Sequence, residues 1–207
     1  MKNSKTSITI LFFFMIILQS CKNTNEKKVI ENSMNSFFEI SENWKQDLLL
    51  NKKVYSVENE KKAIEDYESK KSAYPVGLPS YIDASFDDIN FDKKNDALFY
   101  FYPIDILHGT GMIDQSDYSL LICTNGKEYE VIKDFTEVIK SKIKSNYKDH
   151  RCYKVKLEFE GLREGLVVGN YSAWVNEDAH CCPTFKGEFS YDYLRKAVKL
   201  TSESFDF

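Results

Sequence analysis

The sequence predicts an α+β fold in which an antiparallel β-sheet carries N-terminal helices packed on one side. Apolar residues first recur at helical spacing, and the later part of the chain instead holds short runs in which apolar and polar residues alternate. A helical layer followed by strands in hairpin order is typical of this class. Thirteen Tyr and fifteen Phe residues favour strands and buried sheet faces over a helical bundle.

Two helices are predicted before the first strand. Apolar side chains from Ile30 to Leu48 recur at intervals of three, four or seven residues, which indicates an amphipathic helix that ends near Leu50. The stretch Val57–Lys71 has a thin apolar stripe among many charges, so we expect a second helix that lies on the surface. Two prolines and a glycine in the run Tyr74–Pro79 then end the helical structure.

The clearest local pattern is a β-hairpin. Asn125-Gly126 separates two apolar-alternating runs, and both residues tolerate the positive φ angles of a type I′ turn. The capping-box spacing of Asp134 and Glu137 predicts a helix directly after the hairpin. The remaining predicted elements are strands at Ala97–Tyr102, Arg151–Glu160, Glu164–Val175, Thr184–Tyr193 and Ala197–Ser202.

The charge composition argues against a nucleic-acid-binding protein. The formal net charge is -4 at pH 7, whereas nucleic-acid-binding domains usually carry a clear basic excess. The sequence also lacks a dinucleotide fingerprint, a nucleophile elbow and a zinc-protease motif. We therefore predict no nucleic-acid partner, no cofactor and no catalytic residue.

Residues 1–20 have the layout of a secretory signal peptide. Lys2 and Lys5 form a positive start, and the apolar run Ile8–Leu18 is followed by Ser20 before Cys21. The run of about eleven residues is shorter than the roughly twenty that cross a bilayer as a helix. A plain cleaved signal peptide with an incidental cysteine is the alternative interpretation.

The residues Leu18, Ser20 and Cys21 resemble the lipobox of bacterial lipoproteins, in which the cysteine is acylated and becomes the first residue of the mature chain. The resemblance implies a signal peptide at 1–20, a lipidated tether at 21–28 and a single domain at 29–207. It also implies that the lipid bilayer is a partner through acylated Cys21. Lys22 is not the aspartate associated with inner-membrane retention in these proteins, so the implied location is the outer membrane of the cell envelope.

Four cysteines remain once Cys21 is assigned to lipid: Cys123, Cys152, Cys181 and Cys182. An exported compartment permits disulfides, and four cysteines allow three connectivities. We expect the adjacent pair Cys181-Cys182 to bond to Cys123 and Cys152, because cross-links between distant elements stabilise an exported domain most. A vicinal bond within the adjacent pair is the alternative.

The adjacent cysteines lie in a segment that resembles the LppP/LprE family of bacterial lipoproteins. The residues that carry the resemblance are Asp178, Cys181, Cys182, Pro183 and Thr184. The resemblance implies a shared fold and export, and it brings no known activity with it.

A metal, redox or nucleophilic site is the chemical alternative for this segment, with Asp178, His180, Cys181 and Cys182 as its side chains. Zinc sites usually space their cysteines by two to four residues, because neighbouring side chains do not easily converge on one ion. A Cys–His nucleophile pair normally meets in space rather than in sequence. These spacings favour a structural turn in which His180 is a turn residue.

Four oxygen-bearing side chains have the alternating spacing of a calcium loop: Asp88, Asn90, Asp92 and Asp96. Two residues depart from that pattern. Lys93 stands where the sharp turn needs glycine, and Phe99 stands where a bidentate glutamate is needed. We expect a solvated turn that caps the next strand, and we keep the four residues as weak metal candidates.

The run His108-Gly109-Thr110-Gly111 has the small residues of an anion-binding loop. It lacks the longer glycine pattern and the lysine of a P-loop. Turns of the Gly-x-Gly kind are common in connections, so we expect a plain connection here.

Together these observations predict a membrane-anchored lipoprotein of the cell envelope with a structural or binding role. A protein or a glycan is the expected partner of the domain. An inhibitor or immunity-type protein that binds one partner protein is one alternative, because the acidic balance suits a basic partner. An envelope thiol or hydrolytic enzyme is the other.

Overall fold

The computed structural model describes residues 35–51, 53–70, 74–109, 113–176, 178–179 and 182–204. The predicted signal peptide and tether, His180 and Cys181 lie outside these residues. The chain divides into two units between Asn43 and Trp44. Residues 35–43 of the first unit are helical, and the second unit holds all the described strands.

The predicted helices are confirmed among the described residues. Helix α1 covers residues 35–50, and α2 covers Glu60–Glu68 after a short 3-10 turn. Only Ala63 is buried in α2, which therefore lies on the surface as expected. Helix α3, Phe135–Asn146, buries one residue on each of three successive turns, so its apolar face is continuous.

The fold is α+β, as predicted, with antiparallel strands that follow the N-terminal helices. The predicted single sheet is instead divided. One sheet has the order β2-β3-β5-β6 and the other β10-β9-β8-β7, while β1 and β4 form a small separate ribbon. The strands are β1 (Val76–Gly77), β2 (Asp83–Asp87), β3 (Asp96–Tyr100), β4 (Ile104–Asp105), β5 (Ser119–Thr124), β6 (Tyr129–Ile132), β7 (Lys154–Arg163), β8 (Leu166–Trp174), β9 (Phe185–Asp192) and β10 (Ala197–Ser204).

Helix α3 packs with both four-stranded sheets in one hydrophobic core. Ile139 and Ile143 of α3 are fully buried together with Leu98 and Leu121 of the first sheet and Leu157 of the second. The inward positions of β7 and β8 alternate with partly exposed ones, so the second sheet leaves its other face to solvent. None of the helices in the described part of the chain is long and apolar enough to cross a membrane.

The predicted hairpin of β5 and β6 is confirmed, but its turn differs from the expected type. Thr124 pairs with Tyr129, so Gly126 and Lys127 are the two central residues of the turn. Gly126 has a φ of 85° and Lys127 is not among the residues with positive φ, so the turn is not type I′, which needs positive φ at both central residues. The Asn125 side chain instead accepts hydrogen bonds from the Lys127 and Glu128 amides.

The predicted capping box at the start of α3 is not formed. Asp134 is the N-cap residue, but its side chain accepts no capping hydrogen bond. Its carboxylate lies 3.7 Å from the Lys196 ammonium instead. A lysine of the β9–β10 turn therefore pairs with the carboxylate that the sequence pattern assigns to the helix cap.

Strand β7 ends the second sheet, and polar side chains close its outer edge. The Leu157 amide donates to Asp114 Oδ1 at 3.1 Å, and the Phe159 amide donates to Gln115 Oε1 at 2.7 Å. Asp114 also forms an ion pair of 2.6 Å with Lys140 of α3, and both side chains are largely buried. The segment before β5 therefore joins the β7 edge to the central helix.

The same edge is closed further along by residues of β2. The Leu162 amide donates to Ser85 Oγ at 2.8 Å, and the Gly165 amide donates to Asp87 Oδ2 at 2.8 Å. A bulge lies between Phe159 and Gly161. Gly161 has a φ of 124°, and a Cβ atom there would lie 2.7 Å from Ser85 Oγ. Only glycine therefore lets the two sheets approach this closely.

Replacing Gln115 by leucine would leave the buried Phe159 amide without its acceptor. We expect the free energy of unfolding to fall by about 1 kcal/mol, because the cost of the unsatisfied Phe159 amide, about 1–3 kcal/mol, is partly offset by the loss of the buried Gln115 Nε2 donor, for which the described structure shows no partner. Urea denaturation would measure the change. The matched control is Glu188→Gln on the solvent face of the same sheet, for which we expect a change below about 0.5 kcal/mol. Equal losses in the two variants would contradict the closing role of Gln115.

Candidate functional site

The loop between β2 and β3 contains the predicted weak metal candidates, and its carboxylates bind backbone amides. Asp88 accepts from the Asp92 amide at 3.1 Å and from the Lys93 amide at 2.7 Å. Asp92 accepts from the Lys94 amide at 2.9 Å. Lys93, which stands in place of the expected glycine, has a φ of 69°, so the loop makes its sharp turn without glycine.

Asp96 lies fully buried at the start of β3, where its carboxylate joins two chain segments. Its Oδ2 accepts from the Ile89 amide at 2.9 Å, and its Oδ1 accepts from the Thr124 amide at 2.7 Å. Burial raises the pKa of Asp96 to about 6, assisted by repulsion from Asp92 and Asp88, while the two amide hydrogen bonds oppose the rise.

The loop residues therefore do not converge on a shared ion position. Asn90 lies beside them, but its Nδ2 donates to the Thr124 carbonyl at 2.6 Å and ties the loop to the end of β5. Within the described residues, no group of three or more His, Cys, Asp and Glu side chains could hold a metal ion. The carboxylate oxygens whose spacing suggested calcium ligands instead accept hydrogen bonds from the backbone amides of the turn.

The predicted cross-links from Cys181-Cys182 to Cys123 and Cys152 are absent from the structure, because both Cys123 and Cys152 are free thiols. Cys123 points from β5 into the core, and burial raises its thiol pKa further than the nearby Asp96 does. The Cys152 thiol donates to the Lys154 carbonyl at 3.5 Å, and burial raises its pKa too. Cys182 is exposed. The alternative of a vicinal disulfide between Cys181 and Cys182 involves Cys181, which lies outside the described residues.

Asp178 closes the connection between β8 and β9. Its Oδ2 accepts from the Val175 amide at 2.7 Å and from the Thr184 amide at 3.0 Å, and its Oδ1 accepts from the Thr184 hydroxyl. Desolvation acts to raise the pKa of Asp178, but these hydrogen bonds outweigh it and lower the pKa. In the segment proposed as a metal, redox or nucleophilic site, Asp178 and Thr184 therefore have a structural role: they hold the β8–β9 connection together.

The predicted anion-binding loop contains amides that already face a carboxylate. Asp105 accepts from the Leu107 amide and from the Gly109 amide, each at 3.1 Å. The Tyr74 hydroxyl donates to the same side chain at 2.6 Å. The Leu107 and Gly109 amides therefore already have an acceptor within the chain, which fits the plain connection that we expected. Thr110 and Gly111 lie outside the described residues.

A surface that sequence reasoning missed lies where β2, β3 and β7 meet. Tyr81 precedes β2 and Tyr102 follows β3, while their neighbours Ile82 and Phe101 pack in one small hydrophobic cluster. Tyr81 is 71% exposed and Tyr102 is 50% exposed. Two large aromatic side chains are therefore presented to solvent at the end of the β2–β3 hairpin.

Carboxylates lie near Tyr102. The Tyr102 hydroxyl donates to Glu158 of β7, and burial, Glu158 and Asp83 together raise its pKa to about 12. Burial also raises the pKa of Tyr100, followed by repulsion from Asp83 and Glu160. We call Tyr81, Tyr102, Asp83 and Glu158 the tyrosine surface. The alternating pattern of β7 marks Glu158 as solvent-facing, but only the packing of β2 and β3 beside β7 brings it next to Tyr102.

Comparison with known proteins gives no relative for this chain: no protein-family model, curated protein or solved structure matches it. The lipobox and LppP/LprE resemblances therefore stay predictions from the residues that carry them.

The buried Asp96 makes stability depend on pH. Its pKa is raised from 3.8 to about 6 on folding, so its contribution is fully present below pH 3.8 and is lost as the pH rises through 6. The full shift corresponds to about 3 kcal/mol. We therefore expect the free energy of unfolding of the wild type to fall by about this amount relative to Asp96→Asn between pH 3 and pH 8.

Two measurements check this expectation. Denaturation of both proteins across that pH range gives the difference in stability, and a carboxyl-carbon NMR titration of the wild type gives the midpoint of Asp96 directly. A titration midpoint near the ordinary 3.8, or parallel stability profiles, would contradict it.

Proposed function

We propose that this protein is a lipid-anchored lipoprotein of the cell envelope, with a structural or binding role that needs no cofactor. The observation that carries the proposal is the pattern from Lys2 to Cys21: a positive start, a short apolar run and a small residue before cysteine. Acylation at Cys21 would hold the domain at the bilayer, and two or more acyl chains anchor a protein stably. The outer membrane is the proposed location.

Neither Cys123 nor Cys152 has the environment of a catalytic nucleophile. A nucleophilic cysteine needs a lowered pKa and access to solvent. Burial instead raises the pKa values of both Cys123 and Cys152. The carboxylates of Asp96 and Asp178 are used in hydrogen bonds to backbone amides, whereas the tyrosine surface leaves aromatic rings in solvent.

The second candidate function is an inhibitor or immunity-type protein that binds one partner protein. The tyrosine surface favours it, because tyrosine is enriched at protein interfaces and exposed aromatic groups mark interaction sites. Both candidate functions assume a lipid-anchored domain. They differ in whether the domain acts by binding one specific partner protein.

Replacing Cys21 by serine tests the anchor. We expect the wild type to incorporate radiolabelled palmitate and to sediment with membranes, and Cys21→Ser to lose the label, because acylation requires that thiol. The matched control is Cys182→Ser, which removes an exposed cysteine of the domain and should leave label and sedimentation unchanged. Labelling that persists in Cys21→Ser would overturn the proposed anchor.

A further inference from the structure

We infer that the tyrosine surface binds an arginine- or lysine-bearing segment of a partner protein. The inference rests on the proposed binding role and names the partner's chemistry. It begins from the exposure of Tyr81 and Tyr102, which are 71% and 50% exposed although tyrosine rings bury well in protein cores. Rings in this position offer π faces to a cation.

The groups around the rings select a cation rather than an anion. Asp83 is exposed beside Tyr100 in the β2–β3 register, and Glu158 accepts the hydrogen bond of the Tyr102 hydroxyl. An arginine stacks on an aromatic ring and donates in parallel to a carboxylate, so one side chain can use both kinds of group. A carboxylate-bearing ligand would meet repulsion at the same place.

Lys156 is the competing cation at this surface. Its ammonium lies 2.9 Å from Glu158 Oε1, and the Glu158 side chain remains 39% exposed. A partner's cation therefore has to share Glu158 with Lys156. Removing the Lys156 charge should strengthen binding of a cationic segment. A surface that recognises only apolar groups would not show this increase in affinity.

The probe for the test is an acetylated, amidated octapeptide that alternates arginine and glycine. The matched peptide carries citrulline, which keeps the shape of arginine and removes its charge. Full-length protein in a nonionic detergent is titrated against each dye-labelled peptide, and fluorescence anisotropy is recorded. We expect the arginine peptide to bind and the citrulline peptide to bind at least about tenfold more weakly, with added salt weakening the arginine peptide.

Three variants locate the binding. Tyr81→Ser combined with Tyr102→Ser should weaken the arginine peptide by about tenfold, and Lys156→Gln should strengthen it by about threefold. The control is Tyr153→Ser: it removes another exposed tyrosine, 44% exposed, directly before β7. Its position five residues before Glu158 places it roughly 16 Å away along the strand. We expect no change in this control.

Several outcomes would overturn the inference. Equal binding of the arginine and citrulline peptides would show that charge is not recognised, and equal effects of the Tyr153 and double-tyrosine variants would show that the surface is not involved. Binding of chitotriose that is lost with the same double substitution, without peptide binding, would make the surface a sugar site. None of these results depends on acylation of Cys21, so failure here and failure of the anchor are separate findings.

Discussion

The two sheets of this domain are joined because polar side chains close the outer edge of β7. An edge strand presents a row of amide donors that must find acceptors, whether in another strand, in side chains or in water. Here Asp114 and Gln115 accept from one half of the strand, and Ser85 and Asp87 accept from the residues beyond the bulge. Side chains thus stand where a further strand would otherwise pair.

This closure determines the rest of the packing. Ser85 and Asp87 belong to β2, so the hydrogen bonds that they accept from Leu162 of β7 and from Gly165 after it also fix the edge of the first sheet. Asp114 extends the contact to Lys140 of α3, and this helix shares one hydrophobic core with both sheets. The junction also brings Glu158 next to Tyr102, and so creates the surface from which a partner is inferred.

The same chemistry recurs at the turns. Asp88, Asp96, Asp105 and Asp178 each accept two or more hydrogen bonds, chiefly from backbone amides. Alternating carboxylates suit a divalent cation, but they suit a sequence of turning amides equally well. The path of the backbone decides between these uses, and in the loop before β3 it directs the amides toward the oxygens.

The sequence by itself determined the type and order of most of the described elements. Apolar periodicity was enough for α2, α3 and the hairpin of β5 and β6, because local spacing reports which face of an element is buried. The type of turn at Gly126 and the use of Asp134 were missed, since each depends on one competing hydrogen bond or ion pair. The anchor at Cys21 stays a prediction from sequence.

Only the tertiary structure decided how those elements combine. The division into two sheets depends on acceptors more than forty residues from the amides that they bind, as with Gln115 and Phe159. The same long-range packing keeps Cys123 in the core as a free thiol and raises the pKa of Asp96. Local patterns carry no information on such distant neighbours, because desolvation and hydrogen-bond partners are set by the residues that the fold brings together.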